Sequence, residues 1–288
     1  MKQAAVLDIG SNSIRYACGG VSDAGRFTLE PKRLATTKLA EGLTQTGLLG
    51  QAPIARTLEA IRGFAADATA RGLPVFAYAT SAVRDSANRE ELLSPVRALG
   101  IAVEVLPGAD EARYAMLGAT GGKAGLIDIG GGSTQVLQGG FSASWPIGCV
   151  RAGEYAQGAP TLAALRERVY AACAVSLMRF PAPGGEYVGV GGTITTLAAL
   201  ELGLRAYAPG RICEVTLSPT MLAARIESLY EMGAQARRAH PLLKDRYDTI
   251  LPGACILEYV LKQARIALLP VSDRDGMEGY LMAKLGVI

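Results

Sequence analysis

Apolar runs broken by single polar residues and closed by turn residues mark residues 4–10, 13–20 and 26–34 as strands, the first two joined at the turn Gly10–Ser13. The period then changes. Ile54, Leu58, Ile61, Phe64 and Ala65 recur at helical spacing, which predicts a helix over 53–72 ending at Gly72. A strand over 74–80 follows, then a helix over 86–100 opened by the capping pattern Ser86-x-x-Arg89-Glu90, with Pro95 as a point of kinking or splitting. A strand over 101–107 closes an order of β-β-β-α-β-α-β.

The second half repeats that order. Strands are expected over 124–130, 133–140 and 142–148, then a helix over 161–180 and a strand over 186–192 feeding a helix at 193–203. Further helices are expected over 218–233 and 247–265, then a strand over 266–272 and a helix over 274–286. Repeated order argues for duplication of one fold, with the boundary near 115–122 inside a connecting helix. The resulting domains are 1–118 and 119–288, with the last helix free to pack back on the first.

A length of 288 residues is comfortable for two cores. With 50% hydrophobic and 19% charged residues the chain is globular, and a net charge of +3 is too mild to recruit nucleic acid or a membrane surface. One histidine, His240, and five cysteines without a C-x-x-C pair nearly exclude Cys/His zinc sites, and His240 reads as a surface or capping residue instead of a triad base. Reduced cysteines in apolar surroundings, an acid too early for a signal peptide and no long apolar run point to a cytoplasmic protein.

The chemistry lies in the repeated turn. "AVLDIGSNSIR" and "GLIDIGGGSTQ" both read apolar-Asp-Ile-Gly-x-x-Ser, with Asp8 and Asp128 120 positions apart. Alone, each reads better as a plain hairpin; repeated at equivalent places, each becomes a candidate phosphate cradle of backbone N–H groups and a Ser hydroxyl. A carboxylate beside phosphate makes sense with Mg²⁺ between them. "GVGGT", Gly189–Thr193, follows a strand and opens a helix, an anion-binding arrangement that glycine packing explains equally well. Arg84 and Arg151 stand in turns, where guanidinium forks suit phosphate, while Arg89 reads as a surface ion-pair residue. Asp110 and Glu111 open the connecting helix, where acids serve the helix dipole as readily as catalysis.

The series "DIGSNSIR", "ATSAVRDSANRE", "PGADEAR", "DIGGGST", "GCVR", "GVGGT" and "ILPGACIL" closely resembles the exopolyphosphatase / guanosine-pentaphosphate phosphohydrolase family, over nearly the whole chain and in order. The resemblance implies an α/β fold of duplicated ribonuclease-H-like (actin-like) domains, a phosphate-binding cleft between them, and Mg²⁺-dependent removal of terminal phosphates, with Mn²⁺ as a substitute. It implies Glu111 as general base. It implies Asp8 and Asp128, with Gln135, at the metal. It implies Ser11, Asn12, Ser13, Arg15, Arg84, Gly130, Gly131, Gly132, Ser133, Gly191, Gly192 and Thr193 on phosphate. Two positions depart from the family: Gln135 replaces a glutamate, which weakens cation binding, and Met277 replaces an arginine in Gly276–Gly279.

The expected function is that of an exopolyphosphatase acting on inorganic polyphosphate. Guanosine pentaphosphate hydrolysis is the nearest alternative, followed by a non-catalytic polyphosphate or alarmone sensor, at which Gln135 hints; a kinase of the same superfamily ranks low. Self-association into a homodimer is expected, since so short a chain exposes surface that longer relatives cover.

Overall fold

The computed structural model describes residues 2–176 and 185–287. Contacts divide the chain into Met1–Gly118 with Gly276–Ile288, called unit 1 below, and Ala119–Asp275, unit 2. Each unit carries its own sheet.

In unit 1 the strands are β1 (Lys2–Ile9), β2 (Ser13–Val21), β3 (Phe27–Leu29), β4 (Arg33–Thr36), β5 (Val75–Ala79) and β6 (Val103–Val105). They run β3-β2-β1-β5-β6, with β4 also on β2. β1 pairs antiparallel with β2, and β1, β5 and β6 are parallel. The single strand expected over 26–34 is thus two. Pro31 has no N–H to give the ladder, so pairing with β2 stops at Leu29 and resumes at Arg33 in another register. Buried Ala4, Val6 and Ala17 pack with Tyr78 and with Met277, Tyr280 and Leu281 of the last helix, Gly276–Leu285. Met277 is therefore core, and the neighbouring Glu278 pairs with Lys32 at 3.1 Å.

Unit 2 repeats the scheme with β7 (Gly125–Ile129), β8 (Thr134–Gln138), β9 (Phe141–Trp145) and β10 (Tyr187–Val190), ordered β10-β7-β8-β9. β10 is parallel to β7, as β5 is to β1. The strand expected over 266–272 shrinks to Leu269–Pro270 on Thr216–Leu217, plus a parallel bridge from Val271 to Gly189. The core of this unit centres on the helix Ile250–Ala264, eleven of whose residues are buried.

Helix bounds differ from expectation where polar residues choose another partner. Ser86 does not cap: its hydroxyl donates to the Val83 carbonyl at 3.1 Å, the helix starts at Glu90, and it passes through Pro95 unbroken to Ala98. "SAVR" forms a short helix, Ser81–Arg84, of its own. The helix opened by Pro219 runs past its expected end, through a kink at Gly233, to Ala239. His240 terminates it and accepts the Leu242 N–H at Nδ1. The helix expected over 161–180 spans Leu162–Ser176, and residues 177–180 lie outside the described residues. Among the described residues no helix is long and apolar enough to cross a membrane.

Candidate functional site

Side chains and loops at the carboxyl ends of parallel strands are where open α/β sheets bind ligands. In unit 1 those ends carry the β1–β2 turn, the helix Ser81–Arg84 after β5, and the helix Gly108–Thr120 after β6. They converge. Arg84 Nη1 donates to Glu111 Oε2 at 3.1 Å and to the Leu106 carbonyl at 2.8 Å, which fixes the guanidinium and, through it, the carboxylate. The Ser11 and Ser81 hydroxyls, 2.8 Å apart and buried, tie the turn to the helix that carries Arg84. Burial leaves Glu111 with 17% and Arg84 with 23% of their side chains exposed, a partly dry pair within reach of solvent.

The turn itself is built as a donor cradle. Its carbonyls are pulled outward: Asn12 accepts the N–H groups of Thr37 and Lys38 at 3.2 and 2.9 Å, and Ser11 accepts that of Ala40 at 2.9 Å. Lys38 takes a left-handed φ of 50° to make this bend, a strain tolerated mostly at functional segments. Among the described residues the N–H groups of Ser11 and Asn12 donate to no backbone carbonyl, the condition under which consecutive N–H groups can meet an anion.

Unit 2 reaches the same result by another route. The N–H groups of Cys149 and Val150, in the first turn of the helix Cys149–Ala156, donate to the carbonyls of Gly130 and Gly131 at 2.9 and 2.8 Å. This helix therefore spends its N-terminal donors on the loop instead of a ligand, and no backbone carbonyl takes the N–H groups of Gly131 and Gly132 among the described residues. The helix Gly191–Glu201 leaves its first N–H groups without helical partners, as all helices do. Gly191 has φ 87°, and a Cβ there would strike Asp128 Oδ1, so the aspartate lies directly against that glycine. Thr193 is turned inward: burial holds the Cys149 thiol pKa up, and the Thr193 hydroxyl bonds to that thiol. What Thr193 offers an anion is its backbone N–H.

The paired strands place equivalent side chains in rows. Asp8 stands opposite Arg15, and Asp128 opposite Gln135, which in turn stands opposite Ser144. Arg15 Nε donates to Asp8 Oδ2 at 2.8 Å and its Nη2 reaches the same oxygen, so Asp8 is neutralised by a guanidinium. Gln135 is 1% exposed; its Nε2 donates to Ser133 Oγ at 2.9 Å and to Ser144 Oγ at 3.4 Å, while its Oε1 is buried without a donor. Among the described residues no three His, Cys, Asp or Glu side chains form a metal cluster.

Arg246 is missed by sequence reasoning. A Cβ at Gly192 would collide with its guanidinium, which therefore lies on the bare Cα at the mouth of the helix Gly191–Glu201, and its charge pulls down on the Cys149 thiol against burial. Arg151, noticed in the sequence, instead donates from Nη1 to the Pro146 carbonyl at 3.3 Å.

The Ppx/GppA phosphatase family model matches residues 21–287. The Mycobacterium tuberculosis protein named exopolyphosphatase 2 is 31% identical, with 99% of each chain covered. The solved Aquifex aeolicus Ppx/GppA family member superposes with a TM-score of 0.78 at 30% identity over 99% of this chain and 97% of that one. A Cytophaga hutchinsonii exopolyphosphatase shares the fold at TM-score 0.87 and 22% identity, over 100% of this chain and 99% of that one. With a match this long in sequence and structure, and the two "DIG" turns at equivalent places in two sheets, the chain belongs to the Ppx/GppA phosphatase family.

Proposed function

We propose that the chain is an exopolyphosphatase, removing terminal phosphate from inorganic polyphosphate. The observation that carries this reading is the Glu111 carboxylate, fixed by Arg84 beside the donor cradle of the β1–β2 turn. In that setting Glu111 takes a proton from water as the water oxygen bonds to the terminal phosphorus. The bridging P–O bond breaks and its electron pair leaves on the shortened chain, giving inorganic phosphate and a polyphosphate one unit shorter. Positioning and charge neutralisation supply most of the acceleration in such displacements.

In unit 1 the N–H groups of Ser11 and Asn12 serve phosphate oxygens; unit 2, taken by itself, offers those of Gly131, Gly132, Gly191, Gly192 and Thr193, with Arg246 adding a positive charge. Asp128 and the Gln135 amide oxygen, paired across β7 and β8, would hold Mg²⁺ that arrives with the polyphosphate. Asp8 gives its Oδ2 to Arg15. Bound Mg²⁺ supplies neutralisation of the phosphate charge.

The test is phosphate release by the purified protein from long polyphosphate, tripolyphosphate and guanosine pentaphosphate, with Mg²⁺, Mn²⁺ or EDTA. Release from long polyphosphate in Mg²⁺ is expected; release from guanosine pentaphosphate alone would shift the substrate, and none from any would leave a sensor. Arg246→Ala is expected to raise KM for polyphosphate about 10–100-fold, the loss of one charge-assisted contact of about 1.5–3 kcal/mol. An unchanged KM takes Arg246 out of the site.

A further inference from the structure

The cross-strand position opposite each aspartate differs between the two hairpins. In unit 1 it is Arg15, which cancels Asp8. In unit 2 it is Gln135, which cancels nothing and adds no charge. The consequence lies in the hydroxyls beside it. A hydroxyl has one proton to donate, and its lone pairs accept. Because the Gln135 amide donates to Ser133 Oγ, that lone pair is used and the single Ser133 proton is left for another acceptor. Ser133 is 2% exposed and adjoins Gly131 and Gly132, whose N–H groups no backbone carbonyl takes among the described residues.

We propose that the second hairpin binds phosphate without a divalent cation, with Gln135 aiming the Ser133 hydroxyl at a phosphate oxygen. The proposal rests on reading this hairpin as phosphate-binding. A glutamate at 135 would reverse the arrangement. An ionised carboxylate only accepts, so Ser133 and Ser144 would turn their protons to it and Ser133 would present lone pairs to the ligand. A second carboxylate directly across from Asp128 would also repel phosphate, and a cation would have to come first. With glutamine, the cation arrives with the polyphosphate it already neutralises, and the bare protein holds it weakly.

The experiment titrates tripolyphosphate into the full chain carrying Glu111→Gln, which spares the probe, by calorimetry in EDTA and in Mg²⁺. Binding in EDTA is expected, and Mg²⁺, with Asp128 and the Gln135 amide oxygen at hand, tightens it further. Adding Gln135→Glu is expected to weaken binding in EDTA at least tenfold and to restore it in Mg²⁺. The same change is expected to tighten Mn²⁺ binding to the protein alone at least tenfold, read by electron paramagnetic resonance. Ser133→Ala, a smaller change should Gln135→Glu fail to fold, is expected to lose a similar factor in EDTA. Binding by the Glu111→Gln protein only in Mg²⁺, or equal EDTA affinity with either further change, overturns the proposal. Phosphate release by the wild type is scored separately: a protein that binds in EDTA and releases nothing in Mg²⁺ keeps this inference and loses the enzyme.

Discussion

Glu111→Gln is expected to slow phosphate release from long polyphosphate by about 10²–10⁴-fold, the usual contribution of a positioned general base. The substitution isolates proton transfer from everything else the side chain does. A glutamine carbonyl still accepts from Arg84 Nη1, so the 3.1 Å contact survives, and Arg84 keeps its second anchor on the Leu106 carbonyl at 2.8 Å. Affinity for tripolyphosphate should therefore stay within a few-fold while kcat collapses. Steady-state rates on polyphosphate, paired with calorimetry on tripolyphosphate, separate the two. A kcat within tenfold of wild type would remove Glu111 as base, and a lost affinity with it would make the residue a structural prop for Arg84.

Glu111 and Arg84 were each legible as chemistry-bearing residues, but their contact was not: 27 positions and two elements separate them. What the sequence did display was anything repeated. The two "DIG" turns, seven residues from aspartate to cross-strand partner in each, could be found by comparing the chain with itself, and the strand registers pair Asp8 with Arg15 and Asp128 with Gln135 accordingly. Arg246 had no such signal. It sits in the polar segment Lys244–Thr249, without glycine or period, and its place becomes visible only because Gly192 lacks a side chain where the guanidinium lies. Thr193 shows another limit. Its motif placed it on phosphate without saying through which group, and packing against Cys149 and Gly253 turns its hydroxyl into the core and leaves the backbone N–H. Local pattern gives the backbone of a loop; which way a side chain turns is decided by a helix far along the chain. The strand over 26–34 erred for a local reason, since Pro31 alone was enough to divide it.

Gly148→Ala is expected to cost about 1–3 kcal/mol of stability and about 10²-fold in phosphate-release rate, while Gly153→Ala, five residues on and inside the helix that Gly148 precedes, costs neither. Gly148 needs no unusual backbone: φ −129° and ψ 179° are extended and open to any residue. What it needs is the absence of a methyl. A Cβ at Gly148 would stand 2.5 Å from the carbonyl carbon and oxygen of Gly131 and 2.6 Å from the Gly130 oxygen. Those are backbone atoms, so no rotamer change relieves the overlap. They are also the atoms that the Cys149 and Val150 N–H groups hold, so a methyl drives the loop off the donors that orient it. Overpacking of this kind costs about 1–3 kcal/mol, and a reacting group misplaced by about 1 Å costs about 10²-fold in rate. At Gly153 the nearest atoms to an added Cβ are the Asp248 carbonyl oxygen and Pro252 Cγ, both at 3.7 Å, which is ordinary contact, and alanine is the better helix former by up to about 1 kcal/mol. Thermal melts and polyphosphate rates on the two variants compare one chemical change at the cap, against the loop carbonyls, and inside the helix, away from them. A Gly148→Ala protein as active as wild type would mean that the 130–133 loop gives way without cost, and the carbonyl clamp would lose its role in shaping the phosphate cradle.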